Sequence, residues 1–370
     1  MANPFLSISA RTRSTPYTKR VEACGVKAYT VYNHTLLPTV FESPEADYHH
    51  LKAHVQVWDV SCERQIEING PDAPRLVQMM TPRDFRRMKN DQCYYVPIVD
   101  NKGKLLNDPV AIKLDEARWW LSIADSDVLL YAKGLATGFN LDVEIFEPDV
   151  SPLAIQGPKA ETLAARVFGE DVVKLRFFRH GKFVFNGTEF TVARSGWSKQ
   201  GGFEVYLHDS SLGEPLWDAL FNEGTDLNVR AGCPNLIERI EGGLLSYGND
   251  FTDDHTPYEA GLSKYCAPDI FDECLGGAAL RDHAENGPDR QIRAVVFDGD
   301  GVPACRSRWP VKALNGEPLG SVSSAAYSPD MNTNIGIAMV DKSHWEPGSS
   351  IKIETPDGVR NGEVRMLPLL

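Results

Sequence analysis

Alternation of apolar and polar positions carries most of the structural signal in this chain. Arg64-Gln65-Ile66-Glu67-Ile68-Asn69 places an apolar residue at every second position, the period of a half-buried strand. Gly70-Pro71-Asp72-Ala73 follows and opens a helix to about Met80, proline being well suited to a first helical turn. The same phrase returns later. Leu153-Ala154-Ile155-Gln156 predicts a strand, Gly157-Pro158-Lys159-Ala160 the turn, and a helix continues to Phe168-Gly169. Gly-Pro is a good strand-to-helix turn in its own right. The shared Ile-x-Gly-Pro-x-Ala also fits a duplicated α+β unit, each half an antiparallel sheet backed by helices, and that reading is preferred.

Between the two phrases lie three strand candidates, 93–99, 108–114 and 118–123, with Asp100-Asn101-Lys102-Gly103 as the turn joining the first two. Asn186-Gly187 sits between strand-like runs from Lys182 to Arg194, a strong hairpin signal. Ser43 to His54 predicts a helix with Ser43 as N-cap, Pro44 in the first turn and Glu45 favouring the dipole. Further helices are expected over 212–224 and 235–245, followed by a polar turn, Ser246-Tyr247-Gly248-Asn249-Asp250. Residues 1 to about 20 read as a poorly constrained lead-in, and 26–38 as an aromatic-rich edge strand or pocket lining. Residues 282–289 look like a linker. After it, short alternating runs, Gln291 to Phe297, Ile335 to Val340 and Ile351 to Glu354, between Gly, Pro and Asp turns predict a small all-β, barrel-like unit.

Length and composition narrow this picture. A chain of 370 residues is expected to form two or three compact units, and 42% hydrophobic residues can fill their cores. Its formal net charge of -13 repels phosphate backbones and anionic lipid, so neither nucleic acid nor a membrane surface is an expected partner. Seven cysteines without a CxxC pair support neither a structural zinc site nor a disulfide framework. With no apolar leader or membrane-length run, a cytoplasmic protein is the expectation.

Candidate chemistry is sparse. There is no GxGxxG turn, no Walker lysine motif and no GxSxG elbow. Cys93 and Cys233 have no histidine beside them in sequence, and buried thiols are the commoner case. His50 and His54 stand four apart, as two metal ligands on a helix would. No HExxH surrounds them, so packed or solvated histidines are the better reading and no metal is expected. What remains is a set of aromatics and carboxylates at strand starts and turns: Tyr32, Tyr95, Asp108, Trp197, Glu204 and Tyr206. Three of them lie in Ser195-Gly196-Trp197-Ser198-Lys199-Gln200-Gly201-Gly202-Phe203-Glu204-Val205-Tyr206. Taken alone, that stretch is an ordinary glycine-containing hairpin. Taken with the rest, its carboxylate suits an amino-heterocycle and its rings suit a flat or cationic ligand.

Several phrases carry a resemblance. Trp58-Asp59-Val60-Ser61, Ile68-Asn69-Gly70-Pro71-Asp72-Ala73, Leu106-Asn107-Asp108, Ile155-Gln156-Gly157-Pro158, Gly202-Phe203-Glu204, Leu245-Ser246-Tyr247-Gly248-Asn249-Asp250 and Ser328-Pro329 resemble, in order, the aminomethyltransferase (glycine-cleavage T-protein) family. The resemblance implies an α+β fold of three domains in a ring: two intertwined α/β antiparallel-sheet domains plus a C-terminal β-barrel, around a central folate channel. Residues 1–285 would form the two-lobed folate- and substrate-binding module and 286–370 the barrel. It also implies tetrahydrofolate as co-substrate, with Tyr95, Asp108 and Glu204 at folate-contacting positions. Glu204 resembles the carboxylate that holds the amino-pterin edge, and Asp108 the acidic residue beside the reactive folate nitrogens, the catalytic candidate.

The chain departs from the family pattern at Asn235, where the family has an arginine, and at Asp59-Val60-Ser61-Cys62-Glu63. Its wording over 29–34, 54–60 and 195–204 resembles a branch that passes a methyl group from a sulfoniopropionate to tetrahydrofolate. On that resemblance Tyr32, Trp197 and Tyr206 would surround the sulfonium and Lys199 would clamp the substrate carboxylate. A homodimer is compatible with it. Two alternatives stay open: an aminomethyl- or N-demethylating enzyme giving 5,10-methylenetetrahydrofolate, and a non-catalytic folate-binding module.

Overall fold

Both strand–Gly-Pro–helix phrases fold as the pattern predicts. In the computed structural model, which describes residues 7–370, strand Gln65–Asn69 leads to helix Ala73–Met79 and strand Ser151–Gln156 to helix Ala160–Phe168. The two phrases belong to two compact units through which the chain passes more than once.

The first unit comprises residues 7–64, Pro148–Gly196 and Gln200–Pro234. Its six-stranded sheet runs His180–Phe185, Thr188–Ala193, Gly202–Leu207, Ser151–Gln156, Val55–Asp59, Val229–Ala231. All neighbours are antiparallel except the last pair. Apolar residues of one face, among them Leu153, Ile155, Val192, Phe203 and Val205, pack with Leu163, Leu216 and Trp217 of the covering helices. Residues alternate across a strand, so Glu204 and Tyr206 fall on the opposite face. The Lys182–Arg194 run forms the expected hairpin, with Asn186 and Gly187 both left-handed as a tight turn of this kind demands. Ser43 caps helix Pro44–Ala53, its side chain accepting from the Ala46 N–H at 3.1 Å. Residues 26–38 contribute a separate two-stranded sheet, Ala28–Tyr32 with Thr35–Val40.

The lead-in differs from expectation. Its first six residues lie outside the described ones, but Thr18–Ala23 is a helix, and Tyr17 and Val21 are buried in the core of this unit. Tyr17 packs 6.2 Å from Trp217, and its hydroxyl donates to the Ser151 carbonyl. Burial of two large side chains outweighs the weak local pattern.

The second unit takes Gln65–Glu147, Trp197–Lys199 and Asn235–Leu370. An antiparallel sheet runs Glu144–Phe146, Gln65–Asn69, Arg118–Ser122, Val110–Lys113, Cys93–Tyr95. The expected 93–99 strand is interrupted at Pro97, which has no N–H for a ladder. Its far part, Ile98–Val99, pairs with Leu105–Asn107. The expected 235–245 helix is shorter, Leu236–Glu241, ending at Gly242-Gly243 with Gly243 left-handed. The expected linker 282–289 is largely the end of helix Gly277–Asn286, anchored by Leu280 against Tyr258 and Phe271.

The C-terminal stretch closes into a six-stranded barrel. Its strands are Arg290–Phe297, Trp309–Lys312, Pro318–Ser328, Thr333–Asp341, Ser350–Thr355 and Gly358–Arg365. Arg290–Phe297 pairs with both Thr333–Asp341 and Gly358–Arg365, which completes the circle and leaves no free edge. Among the described residues no helix is long and apolar enough to cross a membrane.

Candidate active site

Glu204 is the focus of the site in the first unit. It is 6% exposed at the centre of strand Gly202–Leu207, and its Oε2 accepts from the Ser195 and Tyr206 hydroxyls, the latter at 3.4 Å. Burial pushes its carboxyl up, while the two hydroxyls pull it back by stabilising the ionised form. Oε1 takes no hydrogen bond from the described residues. One oxygen is therefore fixed and the other is open to a donor.

Gly196 and Gly202 lie tight against the end of strand Ser151–Gln156. Gly196 and Gly202 have φ of +147° and +153°, and a Cβ there would fall 2.0 Å from Gln156 Nε2 and 2.1 Å from the Ile155 carbonyl. Only glycine permits that approach. Gln156 Nε2 in turn donates to the Ser195 carbonyl at 3.2 Å, which holds the serine against Glu204.

Tyr206 is buried, and its hydroxyl points to the Glu204 carboxylate. Tyr32 is half-buried at the end of Ala28–Tyr32, on the separate two-stranded sheet. The left-handed pair Asn33 and His34 follows it, and Asn33 is anchored by donating to the Cys62 carbonyl at 3.0 Å.

In the second unit Tyr95 and Asp108 come together. The Tyr95 hydroxyl donates to Asp108 Oδ2 at 2.7 Å, and Oδ1 is buried with no hydrogen-bond partner among the described residues. Burial raises the Asp108 carboxyl to about 7. Tyr95 and a backbone N–H oppose the shift, and the negative charge of Asp250 adds to it. The carboxylate is held rigidly from below: Asn107 Oδ1 accepts the N–H groups of Asp108 and Ala124, and its Nδ2 donates to Ala124 O and Ser126 Oγ. Tyr247 feels the same surroundings, its phenol raised to about 12 by burial and by the charges of Asp253 and Asp108. The Tyr95 ring lies 5.0 Å from that of Tyr265.

Trp197 and Lys199 also count with this unit. The Arg239 guanidinium stands over the Trp197 ring at 5.7 Å, so one face of the indole already meets a cation. Arg239 is fixed by Asp250 Oδ2 at 2.9 Å, by Ser324 Oγ at 2.5 Å and by the Leu244 carbonyl. Lys199 is exposed, and its backbone N–H donates to Glu238 Oε1 at 2.6 Å. Asn235 caps its helix, with its side chain accepting from the Ile237 and Glu238 N–H groups at 3.0 and 3.3 Å.

Two groups thus form from the expected residues, Glu204 with Tyr206 and Tyr95 with Asp108, while Trp197 lies beside Arg239, Lys199 beside Glu238, and Tyr32 on the two-stranded sheet. The sequence reading missed Arg239, beside Trp197, and Tyr265, beside Tyr95. Asp250 was visible in the Ser246–Asp250 phrase; Arg239 had no local signal.

The remaining reactive residues have structural surroundings. His50 accepts from Gln56 Nε2 at 3.3 Å and meets the Asn228 carbonyl at 2.9 Å, and burial depresses it to about 4. Among the described residues no group of three or more His, Cys, Asp or Glu could hold a metal ion. Cys93 and Cys233 are buried and form no disulfide.

Known proteins match along almost the whole chain. Residues 17–269 match the GCVT N-terminal domain and residues 290–370 the glycine cleavage T-protein C-terminal barrel domain. The chain is 59% identical over 358 residues to the dimethylsulfoniopropionate demethylase DmdA of Ruegeria pomeroyi, spanning 96% of this chain and 97% of that protein. It is 28% identical over 325 residues to an aminomethyltransferase of Staphylococcus saprophyticus, spanning 86% and 87%. In fold it is similar to the glycine cleavage system aminomethyltransferase T of Bartonella henselae, with a TM-score of 0.86 at 22% identity over 97% of this chain and 98% of that one. The chain belongs to the glycine cleavage T-protein family.

Proposed function

We propose that this protein demethylates dimethylsulfoniopropionate, passing one sulfonium methyl group to tetrahydrofolate and yielding 3-(methylthio)propionate and 5-methyltetrahydrofolate. The observation that carries this reading is the 59% identity to DmdA along nearly the full length of both chains. The residues present suit folate: a buried glutamate with one open oxygen, and a buried aspartate with an unpartnered oxygen beside a tyrosine ring. Residues 1–285 are assigned to binding folate and substrate, and 286–370 to the barrel.

Tetrahydrofolate supplies, when bound, the amine nitrogen N5 that accepts the methyl group. The C–S bond breaks with its electron pair left on sulfur, the C–N bond forms, and one proton must leave the nitrogen. The departing thioether is neutral, so no side chain need protonate it. Glu204 holds the amino-pterin edge through Oε1, while Ser195 and Tyr206 keep Oε2 in place. Asp108 Oδ1 receives the proton. Tyr95 orients that carboxylate. Tyr32 and the open side of Trp197 offer rings to the sulfonium, each contact giving about 0.5–2 kcal/mol, and Lys199 offers its ammonium to the substrate carboxylate. Alignment of donor and acceptor supplies the largest share, roughly 7–11 kcal/mol.

The direct test supplies dimethylsulfoniopropionate and tetrahydrofolate to the folded protein and follows 5-methyltetrahydrofolate by mass spectrometry. Absence of methylated folate sinks the reading, and 5,10-methylenetetrahydrofolate from an amine donor would replace it with aminomethyl transfer. Glu204→Ala is expected to weaken folate binding about tenfold or more in calorimetry, through loss of a charge-assisted hydrogen bond. Trp197→Ala is expected to raise KM for the sulfonium about two- to thirtyfold with folate affinity retained. An unchanged KM would remove Trp197 from the substrate side.

A further inference from the structure

We propose that Arg83 is a carboxylate-binding residue of this site, taking either a glutamyl-tail carboxylate of folate or the carboxylate of the sulfonium substrate. The assignment rests on the methyl-transfer reading. Arg83 is half-buried, with its guanidinium 4.7 Å from the Tyr94 ring centroid and 4.8 Å from that of Tyr265. A guanidinium in such a place ordinarily pairs with a carboxylate. Here, among the described residues, its side chain makes no hydrogen bond or ion pair. The nearest acid in sequence, Asp84, is engaged in a two-bond fork with Arg86 at 2.9 and 2.9 Å. The two rings hold the cation through their faces and leave the in-plane N–H donors free. That is a fork already positioned for a planar, bidentate anion.

Tyr265 links this cation to the rest of the site. It neighbours both Arg83 and Tyr95, and Tyr95 donates to Asp108, whose Oδ1 is buried with no hydrogen-bond partner among the described residues. One aromatic wall therefore carries two unsatisfied groups of opposite sign: an acceptor in need of a donor and a cation in need of an acceptor. Lys264 also lies over the Tyr265 ring, at 4.9 Å, but it is an exposed point charge without the fork. A ligand bearing both a dissociable N–H and a carboxylate satisfies both groups at once; a ligand bearing only the carboxylate satisfies Arg83.

Isothermal calorimetry on Arg83→Gln tests the assignment with two pairs of probes. The first pair is 5-methyltetrahydrofolate and the primary amide of 5-methyltetrahydropteroic acid, which lacks the glutamate and bears no carboxylate. The second is dimethylsulfoniopropionate and ethyldimethylsulfonium, which lacks the carboxylate. In one pair the carboxylate-bearing member is expected to lose about ten- to hundredfold in affinity while its truncated counterpart shifts less than twofold. The pair that responds identifies the source. Arg83→Lys keeps the charge between the rings and loses the fork. It should recover part of the affinity, and it keeps the test open should the glutamine variant fold poorly. Equal losses within both pairs, or none, overturn the assignment while leaving methyl transfer intact. Wild-type protein that binds no member of either pair overturns both.

Discussion

Asp250→Ala is expected to destabilise the second unit by about 3–5 kcal/mol, the usual consequence of removing one partner from a buried ion pair. Side-chain exposure at the pair is 6% for Arg239 and 0% for Asp250, so water cannot replace what is lost. Asp250 accepts four hydrogen bonds: from Arg239 and the Ser246 N–H on Oδ2, and from Ser323 and Ser324 on Oδ1. Alanine removes a shared acceptor from all four donors, one of them charged, and only Ser323 and Arg239 keep other acceptors. Thermal unfolding should fall by several degrees, about the shift such a loss produces in a chain of this length. Asp250→Asn keeps the shape and some hydrogen bonds but not the charge, and should fall between. Because Asp250 also holds Arg239 over Trp197, any variant that folds should bind the sulfonium less well than its folate affinity would suggest. A Tm within a degree of wild type would show that the cluster is not the brace its geometry implies.

That cluster also shows where sequence stops being informative. Local devices were legible because their physics is local. Ser43-Pro44-Glu45 marks a helix start, Asn186-Gly187 a hairpin, and the alternation of 64–69 a strand, each decided by backbone preferences within a few residues. The barrel was legible as a class and in three of its strands, where 291–297, 335–340 and 351–354 alternate cleanly, but not in the strand Pro318–Ser328. Pro318–Ser328 contains Gly320-Ser321-Val322-Ser323-Ser324-Ala325, with little contrast between faces, and its register shifts between Val322 and Ser324. A bulge of that kind moves every later side chain to the other face and erases the period. Tyr17 was missed because its burial depends on Trp217, far along the chain.

The site divides in the same way. Glu204, Tyr95 and Asp108 were singled out through a family resemblance, and the structure adds their hydrogen-bond partners. No such phrase exists for Arg83, whose neighbours Tyr94 and Tyr265 meet only in three dimensions. Asn235 is instructive in the other direction. Its departure from the family arginine was visible in sequence; its role as a helix cap required the Ile237 and Glu238 N–H groups to be seen pointing at it.

Asp108→Asn is expected to lower kcat by about 10²–10⁴, the range for removing a positioned proton acceptor. The pH dependence makes this more than a loss of activity. Only the ionised carboxylate can take a proton, and burial has raised its pKa to about 7. In wild type, kcat/KM should therefore climb with pH through about 7 and level off above it, and Asp108→Asn should abolish that limb. Tyr95→Phe removes the hydroxyl that favours the ionised form, so it should move the limb to higher pH. Stability should run the opposite way. The folded pKa lies above the unfolded value of about 4, so the folded state holds this proton more tightly. The stabilisation is complete below about pH 4 and is lost as pH rises through about 7. A merely structural carboxylate would show the stability trend without the activity limb. A wild-type profile flat across that range, or an asparagine variant within threefold of wild type, would remove Asp108 from the chemistry and leave it as a buried acid beside Tyr95.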